Sequence, residues 1–487
     1  MRRAMIVILS LLVIAVNVNS QPAEDVPSDF LDQNFHRGRR EALRAKLPPN
    51  SVAVFFANPV RNRANDVDYA YHQDPNFYYL TGYKEPDAVL LIFKEKQTAN
   101  NGTQYDEIIF VQPRNANAEM WNGRRLGDEG VKSKLGLNQA FNNTEFKKYN
   151  VDFTKFSSVL FIDFQNDVRD DPRDSADLYD IIQQFKVKVN YPSQPSTLSV
   201  ARESPKNNLN TKELAVLMGS LRGVKTKEEL QLVRKAVSIS GMAQREVMKA
   251  IKPGMSEREI QGIHEYVFKK YDAEDIGYPS IVGAGHNGCI LHYIENYKPA
   301  ITNTELILMD LGAEFHGYTA DVTRTIPVSG KFSPEQKQIY ELVLKAQEEA
   351  MKICKSGITM QELNLTTQRV INRGLVELGI LKNEAEKHLY YPHGCCHHIG
   401  LDVHDPIPKG RLEENMIITI EPGIYIPENA NCDKRWWGIA VRIEDDYLIT
   451  KEGYELLSAS APRKIEEIES LMQEPSALDD FELPEIK

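Results

Sequence analysis

The stretch LILMDLGAEFHGYTADVTRTIPV, residues 306–328, limits what this chain can fold into more than any other. An apolar run over 306–309, a turn-forming segment from Gly312 to Gly317 and an alternating Asp321, Thr323, Thr325 series read as two antiparallel strands with a short connection. With the turn centred between Phe315 and His316, Asp310 and Asp321 face one another across the pair. Two carboxylates so placed repel, and a cation is expected between them. Facing carboxylates also suit a two-metal centre, whose ions stand roughly 3.5–4 Å apart and share oxygen ligands.

Downstream, HGCCHHIGLDVHD carries His393, His397, His398 and His404, four of the chain's 11 histidines. Neutral imidazole is a common metal ligand and proton carrier. The spacing of His393 and His397 matches the helical HExxH zinc motif, but Gly394 stands where that motif needs glutamate, which excludes a zincin site. In MIITIEPGIYIP an apolar strand from Met416 ends at Glu421, a carboxylate that must face solvent or meet a cation. In IAVRIEDDYLIT the period of two puts Ala440, Arg442 and Glu444 on one face. Asp310, Asp321, His397, Glu421 and Glu444 therefore form an oxygen-rich set with one imidazole, suited to manganese, cobalt, zinc or magnesium rather than to soft ions. Two such ions can generate hydroxide near neutral pH and polarise a carbonyl. Hydrolysis is the implied chemistry.

The order Asp310, Asp321, His397 in HGCCHHIGLDVHD, Glu421 in EPG and Glu444 in RIEDD resembles the metallopeptidases of the pita-bread fold. Within that family the chain is most similar to the aminopeptidase P (Xaa-Pro aminopeptidase) branch, with prolidase the close relative. The likeness runs over residues 35–472 and includes RNRANDVDYAYHQDPNFYYLTGY and YPSIVGAGHNGCILHYIEN. It implies an α+β fold, in which a C-terminal pita-bread (creatinase/aminopeptidase-type) catalytic domain over 221–472 follows an α/β N-terminal domain over 21–220.

The resemblance also implies a site. Two divalent ions are expected, Mn2+ first, with Zn2+ or Co2+ as alternatives. Asp310 would chelate one, Asp321 and Glu444 would bridge both, and His397 and Glu421 would complete the sphere of one. Glu421 would also handle the proton of the attacking hydroxide. His292 would steady the developing oxyanion, His404 would contact substrate near the scissile bond, and His393 would line the same pocket. Arg442 would hold the hydrogen-bond network around the ligands, and Asp66 would reach a neighbouring subunit's site in a dimer or tetramer. The implied substrates are peptides with proline at the second position. Prolidase, which splits Xaa-Pro dipeptides, is the alternative, followed by a non-catalytic peptide-binding homologue without metals; all five ligands are present here. Departures from the family pattern are Cys395-Cys396 before His397, His398 where a large aromatic is frequent, which could alter the pocket wall, and Ala440 in place of a frequent glycine.

Arg2 and Arg3, an apolar run from Ala4 to Val16, and Val18 and Ser20 at the spacing a signal peptidase accepts read as a secretory signal over 1–20, cleaved before Gln21. The run is short for a membrane span of about 20 residues, so a secreted or periplasmic protein without a stable membrane anchor is expected. A formal charge of −11 leaves no basic patch for nucleic acid. Five cysteines, an odd number, imply no disulfide framework that uses them all. Strand-like runs SVAVFF, AVLLIF, EIIFV and SVLFI alternate with helical candidates, as in an α/β layer, up to a boundary near 220. Beyond it, KTKEELQLVRKAVSISGMAQREVMKAI starts a long amphipathic helix with Thr226 and Glu229 placed as a capping box. The acidic, proline-interrupted tail over 473–487 is expected to be disordered.

Overall fold

The computed structural model describes residues 27, 29–99, 101–192, 207–408, 410–480 and 483, so the expected signal over 1–20 lies outside the described residues. Alternation builds the first sheet. In Ser51–Phe56, Ala53 and Phe55 join one core with Leu90 and Ile92, while Val52 and Val54 join another with Leu91 and Phe93. Six strands run in the order Ala140–Asn142, Gln104–Val111, Val89–Thr98, Ser51–Phe56, Ser158–Phe161, Leu209–Asn210. Ser51–Phe56 is antiparallel to Val89–Thr98 and parallel to Ser158–Phe161. Helix Gln33–Lys46 lends Phe35 and Leu43 to the first core, and helix Leu178–Lys188 lends Ile181 and Phe185 to the second. Both faces are thereby buried, which explains why these strands are almost continuously apolar.

Past Lys225 the order helix, helix, strands occurs twice. Lys227–Ala250 and Glu257–Lys270 precede Ile281–Ala284, Leu306–Leu311 and Val322–Pro327. Pro334–Ile353 and Met360–Glu377 precede Ile417–Ile420, Gly423–Ile426, Ile439–Arg442 and Asp445–Ile449. The expected capping box opens the first of these helices, with Thr226 N–H donating to Glu229 Oε2 at 2.9 Å. The repetition extends to single side chains. Gln244 Nε2 donates to Met309 O and Val322 O at 3.1 and 2.8 Å, and Gln347 Nε2 donates to Ile420 O and Ile443 O at 3.0 and 3.3 Å.

The central hairpin differs from its expected register. Asp310 pairs with Thr323 and Leu311 with Val322, because the turn lies one residue later, at His316 and Gly317, where φ is 51° and 84°. Two successive positive φ values mark the primed turn that matches strand twist. The hairpin also breaks at Gly312: Leu306–Leu311 and Val322–Pro327 share one sheet, Ala313–Phe315 and Tyr318–Thr319 another. A Cβ on Gly312 would lie 1.8 Å from Ala320 O, so only glycine permits this bend. Asp310 and Asp321 meet through the bend rather than as a facing pair.

The tail is ordered further than its composition implies. Residues 473–480 form turns, Ser476 is buried, Leu478 packs on the main core, and Lys252 Nζ pairs with Asp479 Oδ1 at 2.7 Å. Of residues 481–487, only Leu483 is described. Among the described residues no helix is long and apolar enough to cross a membrane.

Candidate metal centre

Each candidate carboxylate stands at or beside a strand end. Asp310 is the penultimate residue of Leu306–Leu311, Asp321 precedes Val322–Pro327, Glu421 follows Ile417–Ile420, and Glu444 occupies the break before Asp445–Ile449. His397 lies on an irregular segment held to the strand by Thr419, whose N–H donates to His397 O at 2.9 Å and whose Oγ1 accepts from His397 N at 3.2 Å. All five line one cavity of about 650 Å³ together with His292, His393, His404 and Arg442. Asp66 is not among them. It sits in the exposed turn between Asn62–Ala64 and Val67–Asp68, outside the pocket lining of its own chain. His398 does not form the pocket wall either, being 2% exposed and bridged to Ile418.

Asp321, His397 and Glu444 each offer a ligand atom within 4.8 Å of the other two. His397 Nε2 is 3.5 Å from Asp321 Oδ2, 3.6 Å from Glu421 Oε1 and 3.8 Å from Glu444 Oε1. Its Nδ1 is 3.1 Å from His398 O, which assigns a proton there and leaves Nε2 to face the carboxylates, where a metal would replace its proton. Glu444 Oε2 accepts from Thr323 Oγ1 at 2.7 Å, whereas its Oε1 is buried with no hydrogen-bond partner among the described residues. Leaving such an oxygen unmatched costs about 1–3 kcal/mol or more. A divalent cation among these atoms would satisfy it, so the residues fit a metal.

Around the ligands runs a second layer of contacts. Arg442 Nη2 donates to Asp310 Oδ2, Nη1 to Tyr425 OH at 2.9 Å and Nε to Thr323 Oγ1 at 3.2 Å. Tyr425 OH lies 2.8 Å from His393 Nε2. The Tyr278 hydroxyl is 2.6 Å from Oδ1 of Asp310 and 2.6 Å from Oδ1 of Asp321. Sequence reasoning missed Tyr278: one of 21 tyrosines, it carries no spacing signal beyond lying in the segment that begins YPSIVG.

Electrostatics record the crowding. Burial lifts Glu421 to about 8, and burial with Asp321 lifts Glu444 well above the carboxylate range. Asp310 is raised by burial against the pull of Arg442. Burial pushes Asp321 up, but His397, Tyr278 and Arg442 together bring it below its usual value. Conversely, Asp321 and Glu421 overcome burial at His397 and hold its imidazolium up to about 9. Burial lowers His393 to about 4, leaving it neutral, and also lowers His404.

A carboxylate and imidazole cluster at strand ends of a twice-repeated helix and sheet unit defines a metallohydrolase, and the comparisons make the class specific. Residues 231–451 match metallopeptidase family M24, and residues 36–160 match the aminopeptidase P N-terminal domain. The chain belongs to this family of metallopeptidases. It is 36% identical over 461 residues to the Xaa-Pro aminopeptidase of Escherichia coli, covering 91% of this chain and 98% of that protein. To the human Xaa-Pro aminopeptidase 3 it is 30% identical, covering 88% and 82%. The solved structure of Escherichia coli aminopeptidase P with the inhibitor Pro-Leu superposes with a TM-score of 0.77 at 33% identity, covering 91% and 98%. Pseudomonas aeruginosa aminopeptidase PepP gives a TM-score of 0.77 at 35% identity, with the same coverage.

Proposed function

We propose that this chain is a metal-dependent aminopeptidase that releases the first residue from peptides with proline second. The observation that carries this reading is the buried cluster around His397, with the unmatched Glu444 Oε1, on a scaffold shared with 98% of the Escherichia coli Xaa-Pro aminopeptidase. Two divalent ions held by Asp310, Asp321, His397, Glu421 and Glu444 would supply Lewis-acid activation of water and of the scissile carbonyl. Manganese is the first choice for these ions, with zinc or cobalt the alternatives; a solved structure of Escherichia coli aminopeptidase P is zinc-substituted and in complex with product.

The chain's own groups do the rest. Glu421, which lines the cavity beside His397, can take a proton from the attacking water and return it to the departing proline nitrogen once a bound cation keeps it ionised. His292 and His404 line the same cavity, His292 to steady charge on the carbonyl oxygen and His404 to contact the substrate near the scissile bond. Neutral His393, tied to Tyr425, offers a fixed polar contact to the substrate. Ile281, Leu291, Ile294 and Val403 give an apolar wall for a proline ring. An Xaa-Pro bond is a tertiary amide with no N–H, so recognition by ring shape suits it.

The same reading places the protein outside the cytoplasm after removal of 1–20, divides the remainder near residue 220, and gives it a dimer or tetramer in which Asp66 reaches a neighbour's pocket. The test compares manganese-loaded enzyme on an Xaa-Pro dipeptide and an Xaa-Pro-Xaa tripeptide, with Asp321→Ala as control. Release of the first residue from the tripeptide, lost in the control, supports the proposal. Cleavage of the dipeptide alone would make the enzyme a prolidase.

A further inference from the structure

His404 lies on a segment, 401–408, that forms neither helix nor strand, yet its ring centroid is 4.4 Å from that of His397. No sheet ladder fixes it there. The carboxylates on either side, Asp402 and Asp405, converge instead on one guanidinium: Arg222 Nη2 is 2.6 Å from Asp402 Oδ2 and 2.5 Å from Asp405 Oδ1. Lys225 Nζ lies 3.0 Å from Asp405 Oδ2. Arg222, Lys225 and Asp405 are 2%, 3% and 3% exposed. The backbone closes on this cluster, since a Cβ on Gly400 would lie 2.8 Å from Asp405 Oδ2 and 2.9 Å from Lys225 Nζ.

Arg222 also reaches the N-terminal layer. Its Nη1 donates to Asn76 Oδ1 at 2.9 Å on helix Pro75–Thr81, and Tyr79 OH of that helix donates to Leu221 O at 3.1 Å. Burying two cations and a carboxylate is expensive, and apolar residues often stabilise as well or better. What a forked guanidinium adds is direction. We infer that Arg222 is a positioning residue: by holding Asp402 and Asp405 it sets His404 against the metal pocket, and through Asn76 it makes that placement depend on the docked N-terminal layer. The inference rests on the reading of His404 as a substrate contact.

Arg222→Lys keeps the charge and loses the fork. The expected result is a fall in kcat on the order of 10²-fold at unchanged metal stoichiometry. In a His404→Ala background the same substitution should have almost no further effect on kcat, because the two changes act through one side chain. Equal fold-losses in both backgrounds would mean a scaffold role and overturn the inference. Should Arg222→Lys not fold, Asp402→Asn, at a half-exposed carboxylate, carries the same expectation. Hydrogen exchange reads the placement without turnover: amides of 398–405 should exchange faster in the variant while those of the paired strand Val322–Pro327 do not change. Unchanged exchange in 398–405 would also overturn the inference. Wild-type protein with no Xaa-Pro cleavage would sink the functional reading instead, and exchange would still decide this one.

Discussion

Gln244 and Gln347 hold equivalent places in the two halves of the catalytic layer. Each is fully buried, and each bonds two carbonyls next to candidate ligands, Met309 and Val322 beside Asp310 and Asp321, Ile420 and Ile443 beside Glu421 and Glu444. These amides fix the spacing of paired ligand strands. Gln244→Leu should therefore weaken metal binding by about 10–100-fold, as loss of outer contacts does elsewhere. Gln347→Leu should do the same and also lower the Tm, since Gln347 bonds Asp445 Oδ2 at 3.0 Å and Arg463 Nη1 at 3.1 Å. Metal titration of both variants checks this; wild-type affinity in both would refute it.

The four candidate carboxylates were legible in the sequence because each borders or interrupts an apolar strand, where only a cation or water can justify it, and His397 because four histidines crowd one short segment. Their supports were not. Gln244 reads as an ordinary exposed helix residue in SGMAQREV, and Tyr278 as one aromatic among many. The hairpin register shifted because His316 adopts a positive φ that an alternation pattern cannot reveal. The ordered start of the tail was hidden by acidity, since the partner of Asp479, Lys252, lies more than two hundred residues away in the chain.

Tyr278→Phe keeps the ring and removes a hydroxyl placed 2.6 Å from both Asp310 and Asp321. Without it the two carboxylates lose a shared donor and rotate more freely. Activity on an Xaa-Pro-Xaa tripeptide should fall by about 10–100-fold, with far-ultraviolet circular dichroism unchanged. A variant with full activity would show that the hydroxyl does not orient these ligands.

Gly312→Ala places a methyl into the space held by Ala320 O, at 1.8 Å. The clash is with backbone, so relief requires opening the bend that joins Asp310 to Asp321. Overpacking of this kind costs about 1–3 kcal/mol, occasionally more. Chemical denaturation should give a lower midpoint, and folded variant should hold less metal at a fixed free concentration. Wild-type stability would mean that the bend opens without cost.

Protonation should substitute for metal in protein stripped with a chelator. His397 is raised from 6.5 to about 9 and Glu421 from 4.5 to about 8, so the folded state binds protons more tightly than the unfolded chain at both. The contribution of His397 is complete below pH 6.5 and is lost as pH rises through about 9; that of Glu421 is complete below 4.5 and is lost through about 8. Glu444 is shifted in the same direction. Asp321 is shifted the other way from 3.8, and its contribution is already constant in this window. The Tm of stripped protein should therefore fall between pH 6.5 and 8, where both losses overlap. Manganese-loaded protein should fall much less, because the cation takes over the charge the protons supplied. Differential scanning calorimetry of the two samples across that window decides it, and a stripped Tm that stays level or rises would contradict the electrostatic account of the centre.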